Sequence, residues 1–151
     1  MRAGDHGTEG DEQSIREVVD RWARAVSRKD VADAIACLAP EVLTFDLAPP
    51  LQHEGLAVIR RGLEDWFPTW DGPISLQIHD LRITADGHAA YCTSLQRMRG
   101  TKTDGTKPDL WFRSTMGLRN IGGTWRIAHE HASTPFYMDG SNKAALDLRP
   151  E

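Results

Sequence analysis

The sequence predicts an α+β domain in which three N-terminal helices pack on one face of a curved antiparallel sheet. Three observations carry this. Apolar residues recur at helical spacing between residues 14 and 67, strand-like runs joined by turn signals follow residue 70, and the first of these runs changes parity, as a bulged strand does.

Residues 1–12 are polar, contain glycine and lack periodicity, which reads as a disordered tail. Ser14 and Glu17 have the form of a capping box, and Ile15, Val18, Val19, Trp22, Ala23 and Val26 then lie on one stripe of a helix reaching about Arg28. Asp30 can cap a second, short helix, VADAIACLA, that ends at Pro40, so the two helices form a hairpin. EVLTFDL reads as a strand stopped by Pro49-Pro50, with Asp46 at its end. Leu56, Ile59, Leu63, Trp66 and Phe67 follow helical spacing until Pro68, which places a third helix there.

After that helix, Ile74, Leu76 and Ile78 share one parity and Leu81 and Ile83 the other, predicting a bulge near His79-Asp80 that bends the sheet. Three further strands, 89–99, 110–119 and 125–134, are joined by turns at Asp104-Gly105 and Gly122-Gly123. Residues 139–151 form a C-terminal extension whose Ala-Ala-Leu suits one helical turn, leaving 13–138 as the domain proper.

The 151 residues suffice for one domain that buries roughly two thirds of its unfolded surface. A net charge of −4 with mixed signs supplies no basic stripe, which argues against a nucleic-acid partner. The absence of a long apolar run or of a signal-peptide pattern predicts a cytoplasmic protein without a membrane partner. Cys37 and Cys92 fit neither a metal spacing nor a CxxC pattern and read as buried thiols.

The element order, together with the strings FDLAPPLQHEG, RMRGTKTDG, LWFRSTMGLRNIGGTWRIAHEHASTPF and ALDLRP, resembles the SnoaL-like, ketosteroid-isomerase-like proteins of the nuclear-transport-factor-2-like superfamily. The resemblance implies a cone-shaped α+β barrel around a cavity. That fold hosts isomerases, epoxide hydrolases, polyketide cyclases, dehydratases and binding modules, so it selects no single activity.

By the same resemblance Asp46 stands where ketosteroid isomerase has its general base, although an Asp before a Pro-rich turn is also a common turn former. That enzyme's oxyanion donors are missing: Trp22 falls at the tyrosine's place and Thr115 near the acid's. A tight turn at Asp104-Gly105 pairs Arg99 with Leu110 and puts Gln96 and Ser94 on one face with Trp111, Arg113 and Thr115. Arg113 would there hold a substrate carboxylate or enolate, or else form an ion pair with an acid on the next strand. Trp22, Trp66 and Trp111 are candidates for stacking a flat ligand.

The segment HEH, residues 129–131, resembles a metal site. On a strand, however, His129 and His131 point one way and Glu130 the other, and no third ligand follows nearby, so no metal is expected. Two arguments compete over which face meets the cavity. The resemblance puts Arg126, Ala128, Glu130 and Ala132 inside, making Glu130 a second carboxylate opposite Asp46. Burial would instead put Trp125, Ile127, His129 and His131 inside with Phe112, Met116 and Leu118. The first arrangement leaves an apolar convex face and predicts a sheet-to-sheet homodimer.

The expected function is cofactor-independent proton transfer (isomerase or cyclase) or water activation, as in an epoxide hydrolase, on a hydrophobic carbonyl or polyketide-like molecule. Asp46 and Glu130 would be the acid–base groups, and Arg113 and Thr115 the electrostatic partners. A non-catalytic ligand-binding or dimerisation domain is the alternative.

Overall fold

A computed structural model describes residues 5–151. Helix α1 spans Asp5–Ser27, α2 Val31–Ala36 and α3 Leu56–Trp66; the strands are β1 Leu38–Phe45, β2 His53–Glu54, β3 Trp70–Asp86, β4 Ala89–Lys102, β5 Asp109–Ile121 and β6 Thr124–Ser133. They form one six-stranded sheet in the order β2-β1-β6-β5-β4-β3. Only β1 and β6 run parallel; the other pairs are antiparallel. No helix among the described residues is long and apolar enough to cross a membrane.

The first helix is longer than its apolar stripe predicts. It is already formed at Asp5, so Ser14 lies inside the helix instead of capping it, and residues 1–4 of the expected tail lie outside the described residues. The Asp11 carboxylate accepts the Trp125 indole N–H at 3.2 Å, which ties α1 to β6. The rest of the stripe behaves as its spacing demands: Ile15, Val19, Ala23 and Val26 are buried. Asp30 caps α2 through the Asp33 N–H. Arg21 clamps the hairpin by reaching Asp33 with Nε at 2.8 Å. Pro40 is not the stop of α2, which ends at Ala36; it lies on an exposed position of β1.

The core fills the space between the helices and the concave face of the sheet. Ile15 and Val19 of α1 meet Val42, Cys92, Met116, Leu118, Trp125 and Ile127 from the strands. Cys37 and Cys92 are free, buried thiols, and burial pushes both to about 11. A second cluster, Val26, Phe67, Trp70 and Ile74, closes the end near the α3–β3 connection.

Two local features decide which side chains face inward. The expected bulge in β3 is present between His79 and Arg82, with Asp80 at φ +55°. The β4–β5 turn is one residue longer than a two-residue hairpin. Lys102 N–H bonds to Thr106 C=O, Gly105 sits at φ +88°, and Asp104 accepts from both the backbone and the hydroxyl of Thr106. Arg99 therefore pairs with Asp109, not with Leu110, and every residue of β5 is turned to the face opposite the expected one.

The β5–β6 turn is the two-residue type expected, with Gly122 and Gly123 both at positive φ. Pairing runs as expected through Leu118 with Ile127, and then a bulge at Ala128 shifts the partner of Gly117 to His129. Trp125 and Ile127 thus face the core before the bulge, and Glu130 and Ala132 face it after. The apolar set taken to cover a dimer interface is the core itself, and that ground for a homodimer falls away. The C-terminal extension makes no helical turn: Phe136 pairs with Ala144, and Ala145 is buried.

Candidate active site

A cavity of about 360 Å³ lies between α1, α3 and the concave face of the sheet. Its walls are mostly apolar, with Trp22 from α1, Ile59, Leu63 and Trp66 from α3, and Met98 and Phe112 from the sheet. Its polar groups are few: Thr44, Asp46, His53, Gln96 and Glu130. Larger hollows exist at the surface, one beside the β3–β4–β5 end and one along the loop after β1, but they are shallow and open, so size alone does not identify the site.

Three polar groups stand in one row across the sheet. Thr44 of β1 pairs with His53 on one side and with Glu130 on the other, so strand register places all three side by side over the cavity. Adjacent strands are about 4.8 Å apart, which sets His53 and Glu130 roughly 10 Å from each other at the backbone. A small molecule fits between groups at that separation.

Glu130 is the most perturbed acid of the row. Burial in apolar surroundings pushes its carboxyl from 4.5 to about 7; the Ser114 hydroxyl, donating to Oε2 at 2.8 Å, opposes this, and the negative charge of Asp46 adds to it. Ser114 is available because the longer β4–β5 turn brings it to the inner face, opposite Ser94. Ser94 in turn accepts the Gln96 side-chain N–H at 3.1 Å. Ser94, Gln96 and Ser114 are the buried polar residues of the described chain, and they form a strip leading from the cavity floor toward Glu130.

Of the residues anticipated from sequence, the cavity brings together Trp22, Asp46, Trp66, Gln96 and Glu130. Asp46 stands at the rim and is exposed, its Oδ1 accepting the Leu47 N–H at 2.6 Å, as a turn-forming Asp does. Trp111, Arg113 and Thr115 do not belong to the cavity: the one-residue change of register puts them on the convex face. Trp111 packs there edge-on to His79, with the Arg97 guanidinium 5.9 Å from its ring centre. The ion pair expected of Arg113 belongs to Arg97, which grips Asp109 with two 2.8 Å hydrogen bonds.

His129 and His131 lie on the outer side around Phe45, at ring-centre distances of 4.9 and 5.3 Å, and His129 Nδ1 is 2.6 Å from the Leu43 carbonyl oxygen. Among the described residues no three His, Cys, Asp or Glu gather as metal ligands would. The HEH segment is thus a stretch of interior strand with two histidines outside and one carboxyl inside.

Sequence reasoning passed over His53, Thr44 and Ser114. The string QHEG is visible, but a two-residue strand has no periodicity to place its histidine. Ser114 was excluded by the shorter turn assumed for Asp104-Gly105.

Comparison with known proteins agrees with this architecture. The family model described as a SnoaL-like domain matches residues 15–137. No curated protein matches the sequence. A crystal structure of an NTF2-like protein of unknown function from Pseudomonas putida KT2440 is similar at TM-score 0.85 and 31% identity, covering 94% of this chain and 98% of that one. Two further structures share the fold at low identity. One, from Streptomyces avermitilis, is provisionally named a dehydratase of the NTF2-like family (TM-score 0.74, 14% identity, 83% and 96% coverage). The other, from Novosphingobium aromaticivorans, is provisionally named a scytalone dehydratase (TM-score 0.78, 13% identity, 95% and 97% coverage). With a family match over most of its length and a solved NTF2-like protein similar over nearly the whole chain, this chain belongs to the SnoaL-like family of the NTF2-like superfamily.

Proposed function

We propose that the chain is a cofactor-independent enzyme that moves a proton at a carbon next to a carbonyl in a small hydrophobic molecule, with Glu130 as the acid–base group. One observation carries the reading: a carboxyl held near neutral pH inside an apolar cavity, with a polar row beside it. A group with that proton affinity is about half ionised at pH 7, so it both takes and returns a proton without a large penalty either way.

In this reading ionised Glu130 removes a proton from the carbon, and Thr44 or His53 hydrogen-bonds the oxygen that becomes an enolate. Returning the proton to a different carbon gives isomerisation. Where a hydroxyl stands β to the carbonyl, delivering the proton to that hydroxyl releases water, the outcome suggested by the two neighbours provisionally named dehydratases. Asp46 is at the rim, where its charge adds to the larger effect of burial on Glu130; it is the less enclosed of the two carboxylates.

The test is hydrogen–deuterium exchange at the α-carbon of 1-tetralone, followed by NMR in D2O. The parent should accelerate exchange, and Glu130→Gln should lose a factor of about a hundred or more. Exchange by Glu130→Gln at the parental rate would remove the catalytic role, and the cavity would then be a binding site.

A further inference from the structure

The charges around the cavity are of one sign. Two carboxyls, Glu130 and Asp46, line it together with one imidazole, and of the described lining residues none is Lys or Arg. Arg113, the cation expected there from sequence, is turned outward with the rest of its face of β5. Over the interior carboxyl the walls are apolar and aromatic, so little water is present to screen an approaching charge.

From this geometry we infer that the cavity admits uncharged and cationic aromatic molecules and turns away organic anions, so that the part of the substrate entering it bears no carboxylate, phosphate or sulfate. An anion there would lose its hydration without meeting a counter-charge and would face Glu130 directly. A cation would meet a carboxylate in a cavity that Trp22 and Trp66 also line. The volume, at the lower end for small-molecule sites, suits a body of about two fused rings.

The inference rests on the cavity being the substrate site, and it predicts a pH dependence whose sign follows from Glu130. The groups near it are few. Asp46 follows β1 and His53 comes from β2, Ser114 from β5, and Cys92 from β4, whose thiol at about 11 stays neutral below pH 9; α1 and α3 contribute apolar side chains. An anion binds only when Glu130 is protonated, and above pH 7 that fraction falls toward tenfold per pH unit. A cation gains as Glu130 ionises and levels off above pH 7.

Titration calorimetry with three probes of one shape, 2-naphthol, 2-naphthylmethylamine and 2-naphthoate, tests this between pH 6 and 9. At pH 8 the naphthoate should bind at least tenfold more weakly than the amine, and its affinity should keep falling with pH while that of naphthol stays level. Glu130→Gln should flatten both slopes and tighten naphthoate, whereas His53→Gln should leave the naphthoate slope in place. Equal binding of naphthoate and amine at pH 8, slopes removed by His53→Gln and not by Glu130→Gln, or no binding of any probe at millimolar concentration would overturn the inference. The readout is binding alone. A cavity that discriminates charge in this way yet exchanges no tetralone proton keeps this inference and sinks the catalytic one.

Discussion

Replacing Glu130 by Gln should make the protein more stable at alkaline pH, although it removes the group proposed to do the chemistry. The folded state raises this carboxyl from 4.5 to about 7, so the native protein holds its proton more tightly than the unfolded chain does. Stability from that group is complete below pH 4.5 and is lost as the pH rises through 7. At 1.36 kcal/mol per pH unit, the full loss is about 3 kcal/mol, most of which falls between pH 5 and pH 8. Gln keeps the shape and can still accept the Ser114 hydroxyl bond, but it has nothing to ionise. Urea unfolding of parent and variant at both pH values measures this without reference to the other titrating groups, which cancel in the comparison. The variant should gain about 2–3 kcal/mol on the parent between pH 5 and pH 8. A difference that stays flat across that range would refute the reasoning, since it would mean that Glu130 ionises in the fold as readily as in water.

Other residues give independent checks. Ser114→Ala removes a hydrogen bond to the ionised form, worth about 1.5–3 kcal/mol for a charged acceptor, and should push the Glu130 carboxyl further up, seen as an alkaline shift of the acid limb in a pH–rate profile. Asp46→Asn should move it the other way, since a repelling charge is gone; an unchanged or higher value would contradict the placement of Asp46 at the same rim. Arg113→Met, on the convex face, should leave binding of 2-naphthol unaltered and change stability by no more than about 0.5 kcal/mol in thermal unfolding. Gly105→Ala places a Cβ at φ +88° and should cost about 1 kcal/mol in urea unfolding, with no effect on the cavity; a neutral result would mean that the three-residue turn is not as described.

The fold was legible because its signals are local or periodic. Ile15 to Val26 show helical spacing, Pro68 stops α3, and the parity change at His79-Asp80 marks the bend of β3. The site was half legible, and the reason is the period of two along a strand. A single residue more in the Asp104-Gly105 turn exchanges Arg113 and Thr115 for Phe112 and Ser114, and nothing in TKTDGTK separates a two-residue from a three-residue turn. The Ala128 bulge has the same effect within β6. Burial rightly places Trp125 and Ile127 inward, the family resemblance rightly places Glu130 inward, and the two conflict only if the strand is assumed to be regular. His53 was hidden for a different reason. Its strand has two residues, and its position over the cavity comes from pairing with Thr44 and not from any pattern of its own.

The central claim is that Glu130 sits in this cavity as a carboxyl that titrates near neutrality. Carbon-13 NMR of protein labelled at the glutamate side-chain carboxyl, with the resonance assigned by its loss in Glu130→Gln, measures this directly. The expected result is one carboxyl with a midpoint at about 7, well above the ordinary carboxylate range. A Glu130 midpoint at the ordinary free-glutamate value of about 4.3 would contradict it.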